Sequence, residues 1–218
     1  LFMLTSAAPL TAVAFRFTKS HWRRPLSRVS ELFAVVGILN ILMFIPLMIV
    51  LPSINNPSIG VEELEIRRTI WFEVPIGAPH VWDMLGIIFL SVAGLAILCL
   101  SVIPDMAEYR LTASGFRRKV YSFLAGHWYG TKRQWFTQKA GLAMLGAFYF
   151  MLLIYVHFII STDYAMSLVP GWKDSIFPVF YSLTGLQVAL GTSLMILFIM
   201  RRWGGYQEYL GKSVFWSA

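Results

Sequence analysis

The sequence predicts an all-α protein, a polytopic bundle of transmembrane helices. The first observation is composition: 57% of the 218 residues are hydrophobic and 13% are charged, where a soluble domain carries roughly 25% charged residues. The second is a set of apolar runs long enough to cross a bilayer core, which takes about 20 residues as a helix. The third is a regular alternation of charge between the loops that join these runs.

Taken in order, the runs predict five spans at about residues 1–18, 32–51, 81–103, 140–160 and 176–200, forming one transmembrane domain over residues 1–218. The first is short and begins at Leu1. It reads as the end of a span whose start lies upstream, so the chain is expected to belong to a longer subunit. The terminal KSVFWSA likewise reads as the start of another span. No run alternates with a period of two, which argues against a barrel. There is no positively charged stretch followed by a small-residue cleavage site, so no signal peptide is read.

The loops carry net charges of +3, −2, +5, −1 and +2 in chain order. The positive-inside rule then puts loops 19–31 and 105–139 and the C-terminal tail in the cytoplasm. Loops 52–80 and 161–175 face the opposite, periplasmic side. The overall charge of +7 follows from these cytoplasmic loops and does not call for nucleic acid as a partner. The single cysteine, Cys99, can form no intrachain disulfide and alone is no metal site.

Ionisable side chains at membrane depth are costly and usually functional. Near the outer interface the sequence offers His80 and Asp83 in HVWD, three residues apart on one helix face, together with His157 and Asp163. A carboxylate beside an imidazole in a partly dehydrated pocket can accept protons near neutral pH, which suits a reaction releasing protons outward. The plainer alternatives are that Asp83 caps a helix N-terminus, that His80 is an interfacial loop residue, and that His157 packs against a neighbouring helix. Trp71, Trp82, Trp128, Trp135 and Trp172 suit the aromatic belts at the two interfaces. At the inner interface, Arg28 and Glu31 in RRPLSRVSEL and Asp105 in IPDMAEYR are either ion pairs or the opening of a proton path. A b-type heme needs two histidines facing each other at membrane depth. His21 and His127 fall in cytoplasmic loops and His80 precedes its span, so heme is not expected. Nucleotide-binding and heme-attachment motifs are absent.

Several stretches together resemble one family, the polysulfide-reductase-type (NrfD/PsrC) membrane subunits of quinone-linked respiratory complexes, and most closely the quinol-interacting membrane subunits of alternative complex III. The residues that carry the likeness are WRRPLSRVSE (22–31), HVWD (80–83), IPDMAEYR (103–110), HWYGTKRQW (127–135) and HFIISTDYAMSLVPGWKDSIFPVFY (157–181). The resemblance covers nearly the whole chain and implies a longer subunit of eight to ten spans. It implies a quinol or quinone, such as menaquinone, bound near the outer side as substrate, with no redox cofactor held by the subunit itself. It further implies an iron–sulfur subunit that takes the electrons, cytochrome and other membrane subunits as partners, surrounding lipids, and a bacterial inner (cytoplasmic) membrane. On this reading Asp83, His80 and Asp163 handle the quinol protons, Trp82, Tyr155, His157 and Trp172 line the quinol, and Arg28, Glu31 and Asp105 serve a proton path.

The sequence departs from the family in lacking a histidine near Ser6 and a His-x-Gly-Arg-Pro segment near residues 48–55. Two alternatives follow: His80 replaces the missing contact, or this copy is a membrane anchor or proton-conducting subunit that does not turn over quinol. A secondary transporter with a helix broken at Pro170–Gly171 ranks last, since no inverted repeat is visible and the pair lies in a loop.

Overall fold

The computed structural model describes residues 1–17, 23–50, 78–166, 172 and 174–217. Loop 52–77, the first loop around His21 and Trp22, and the Val169–Pro170–Gly171 corner lie outside these residues. So does the side chain of His80.

The described chain is all helical: α1 (Phe2–Phe17), α2 (Arg23–Val36), α3 (Ile38–Val50), α4 (Ala78–Thr112), α5 (Gly115–Ala125), α6 (Lys132–Tyr164), α7 (Phe177–Trp203) and α8 (Lys212–Ser217). Four helical stretches among the described residues are long and apolar enough to cross a membrane, and the shorter apolar stretch Phe2–Ala14 accompanies them. The protein is therefore a helical bundle of membrane character.

Helix ends differ from the predicted span ends because hydropathy reports the bilayer, whereas a helix continues as long as its residues favour it. The third span continues past Ile103 through AEYRLT to Thr112, and the fourth starts at Lys132, eight residues before Ala140. Thr131 and Gln134 form a reciprocal capping box at that start, satisfying two otherwise orphaned backbone donors. The second span consists of α2 and α3, broken by a turn at Gly37, a residue type at which helices commonly kink. At α7 the Asp174 carboxylate accepts from the Ile176 and Phe177 amides at 2.9 and 3.3 Å, as expected of a residue capping that span.

Helix α1 is the hub. Residues Thr5 to Val13 are buried without interruption, because α2, α4, α6 and α7 all pack around it. The contact surface is built from small residues: Ala7, Ala8 and Ala12 are fully buried, and Gly146 and Gly185 lie against Val13 and Met3. In a membrane, apolar surface gains little by leaving lipid, so close approach of backbones and interhelical hydrogen bonds carry the association. Such bonds run from Asn40 to Thr5 (2.6 Å), from the Tyr149 hydroxyl to the Ser6 carbonyl (2.5 Å) and from Ser30 to Ser193 (3.1 Å).

This packing makes a graded prediction. A Cβ at Gly146 would overlap the Val13 side chain, and one at Gly185 would lie 2.8 Å from Met3 Cγ and 3.1 Å from the Met3 carbonyl oxygen. Gly146→Ala and Gly185→Ala are each expected to cost about 1–3 kcal/mol. Gly191→Ala meets nothing within 4 Å and should not destabilise, since alanine favours a helix interior over glycine by up to about 1 kcal/mol. Thermal unfolding of the three purified variants in detergent checks the order.

Candidate functional site

Two polar clusters sit in the bundle, both anchored on α4. Asp83, near the start of α4, is 1% exposed, and Asp163, at the end of α6, is 7% exposed. The two carboxyl groups and Tyr164 interact with one another. The Tyr164 ring packs edge-on against Phe44 of α3 at 5.5 Å. Asp83 lies five residues inside α4, which begins at Ala78, so it is not the helix N-cap. Its burial follows from helix geometry. Residues 83, 86, 87, 90, 93, 94 and 97 form the stripe that α4 turns into the bundle, with Gly86 against Val156 of α6.

The same geometry places Trp82 elsewhere. One residue earlier is about 100° around a helix, and Trp82 is 64% exposed. Tyr155 is similarly turned outward, at 58%. Neither lines the interior beside Asp83, and a ligand could meet them only on the outer surface of the bundle.

His157 is fully buried and forms a centre of its own. Its Nε2 is 2.8 Å from Ser6 Oγ of α1 and its Nδ1 is 3.2 Å from Ser182 Oγ of α7. Ser182 also donates to the Pro178 carbonyl at 2.9 Å. Both ring nitrogens are thus held by serines rather than by either carboxylate. A row of rings leads to this histidine. Trp172 stands 4.9 Å from Phe177, Phe177 6.4 Å from Tyr181, Tyr181 5.3 Å from His157, and His157 5.3 Å from Phe2 of α1. The structure therefore joins Trp172 to His157 through aromatic packing.

The second cluster lies at the other end. Glu31 of α2 is fully buried and is closed on from both sides. Arg16 of α1 donates from Nη2 to Oε1, and Arg28 donates from Nη1 to Oε2 at 3.0 Å. Ser101 of α4 donates to Oε2 at 2.7 Å. Both arginines also reach Ser101 Oγ at 2.5 Å, and Arg28 continues to Asp105 at 2.6 Å. The structure thus gathers Arg28, Glu31 and Asp105 in one place.

Arg16 and Ser101 complete the set and were missed by the sequence reasoning. For Arg16 the signal was present, a lone cation within the first apolar run. For Ser101 no local signal exists, since a serine inside an apolar span is ordinary.

Asp83 and Ser101 are eighteen residues apart on one helix, so about 27 Å separates the clusters along its axis, close to the hydrocarbon thickness of about 30 Å. Between them lies a cavity of about 10 Å³ with Thr5, Ser6, Asn40, Ser91 and Tyr149 in its lining. That is at the lower limit for one water. The described residues hold no group of three or more His, Cys, Asp or Glu side chains able to ligate a metal.

No protein-family model matches this sequence, and no curated protein is significantly similar to it.

The Glu31 cluster carries a stability prediction. Removing one partner of a buried ion pair strands the other charges, typically costing about 3–5 kcal/mol. Glu31→Ala is expected to fall in that range, whereas Asp105→Ala, at a site 40% exposed, should cost less than about 1 kcal/mol. Unfolding in detergent checks both.

Proposed function

We propose that this chain is a quinol- or quinone-binding integral membrane subunit of a respiratory or photosynthetic electron-transfer complex. On this reading it belongs with the polysulfide-reductase-type membrane subunits, sits in a bacterial inner membrane, and presents the Asp83 end to the periplasm. It binds menaquinone or another quinone as substrate and works beside an iron–sulfur subunit, with cytochrome and further membrane subunits around it.

The observation that carries the reading is the buried pair Asp83 and Asp163 beside the half-buried Tyr164, about one bilayer thickness along α4 from a second acid-containing cluster. Quinol oxidation releases two protons and two electrons. The electrons pass to the iron–sulfur partner, and the protons need acceptors at the ring hydroxyls. Two adjoining carboxyl groups and a phenol can accept and pass them outward. His157 and the aromatic row from Trp172 supply apolar, ring-shaped surroundings on the neighbouring face.

A second reading, a non-catalytic anchor or proton-conducting subunit of the same kind of complex, is favoured by two placements. Trp82 and Tyr155 face away from the carboxyl pair, and both nitrogens of His157 are already engaged by serines. The small polar-lined cavity between the clusters suits proton conduction.

The two readings part in one experiment. Asp83→Asn and Asp163→Asn keep the shape and remove the proton acceptors. In the assembled complex each should lower quinol oxidation by about 100-fold or more, the usual contribution of a positioned acid–base group. Normal turnover in correctly assembled Asp83→Asn complex would reject Asp83 as the acceptor and leave the anchoring role.

A further inference from the structure

Helix α5, GFRRKVYSFLA, lies in the most basic loop and belongs to neither polar cluster. Phe116, Val120 and Phe123 fall at i, i+4 and i+7, which is one stripe of a helix. Arg117 and Lys119 flank the stripe and Arg118 opposes it. In a helix lying on water alone, the aromatic stripe would turn inward. Here Phe116 is 80% exposed and Phe123 86% exposed.

The exposure is built in, because the helix is pinned from its other side. Tyr121 packs on Tyr109 of α4 at 6.1 Å, and Ala125 is buried. Arg110 donates to the carbonyls of Gly126 and Trp128 at 3.1 and 3.0 Å, and Gln134 donates to that of His127 at 2.7 Å. Gly115 and Gly126, with φ of +59° and +53°, make the corners at the two ends, a conformation that favours glycine.

We propose that α5 is an interfacial helix that docks on anionic lipid headgroups, with Phe116 and Phe123 entering the boundary of the acyl region and the flanking Arg117 and Lys119 bound to lipid phosphates. Charge complementarity selects this occupant: from Tyr109 to Thr162 the sequence holds seven lysines and arginines and no acidic residue. An apolar stripe flanked by basic residues is the pattern of helices that lie in a membrane surface, and basic side chains there gain from anionic lipid. Position agrees. Arg110, which holds the end of α5, is five residues beyond Asp105, about 8 Å along the helix, which is comparable to the headgroup layer. Trp128 and Trp135, stacked edge-on at 5.2 Å, mark the same level.

The test is hydrogen exchange on the full protein, extracted with its native partners and placed in nanodiscs. One set is pure phosphatidylcholine and the other contains phosphatidylglycerol. Residues 115–125 should exchange about tenfold or more slowly with phosphatidylglycerol, since each of the two flanking cations contributes near an anionic surface, and the difference should shrink at high salt. The R117Q/K119Q variant should lose the lipid selectivity, and F116S/F123S should lose the protection itself. Residues 140–160 of α6 serve as the internal check that both variants are folded. Equal exchange in the two lipids would overturn the proposal. So would protection that disappears when a co-purifying protein is stripped away, which would assign the stripe to a protein partner.

Discussion

Glu31 is fully buried, and two arginines close on it from two different helices. An uncompensated carboxylate at that depth would be expensive, so the arrangement of helices around it is tightly constrained. Arg16 brings the end of α1, Arg28 the start of α2, and Ser101 and Asp105 the far part of α4. Once these three helices are fixed at one end, the stripe of α4 that faces α1 and α6 is fixed along its length. Asp83, on the same stripe, is thereby directed into the bundle at the opposite end. The Glu31 ion cluster thus helps to set the position of the Asp83–Asp163 carboxyl pair, although about 27 Å of helix lies between them.

Close packing of α1 complements this electrostatic tie. Alanines on α1 and glycines on α6 and α7 let backbones approach, and the remaining polar groups of α1 are used as links: Thr5 to Asn40, the Ser6 carbonyl to Tyr149, and Ser6 to His157. The last link joins α1 to α6, and Ser182 extends it to α7. His157 is therefore a junction of three helices. Any chemistry assigned to it must coexist with that structural role.

Much of this was legible in the sequence, for definite reasons. Spans were readable because a bilayer imposes a length and a polarity that soluble cores do not. The grouping of Arg28, Glu31 and Asp105 was readable because charges at span ends must find one another. What was not legible is rotational. HVWD places Trp82 and Asp83 side by side in sequence, yet adjacent residues differ by about 100° around a helix, so one enters the core and the other leaves it. Tyr155 and His157, two positions apart, separate for the same reason. Helix ends beyond the apolar runs were also hidden, since AEYRLT and KRQWFTQ continue their helices through local propensity and the Thr131–Gln134 cap.

The two polar ends differ in a way that bears on their roles. At the Glu31 end two arginines meet two carboxylates, and every charged partner has an opposite charge within reach. Such a set resists being opened, because parting a pair would strand a charge. That is the behaviour of a lock. At the Asp83 end two carboxyl groups and a phenol adjoin, three groups that can each carry a proton. On the proposed reading the proton chemistry falls to Asp83 and Asp163, while Arg28, Glu31 and Asp105 hold the helices that aim them.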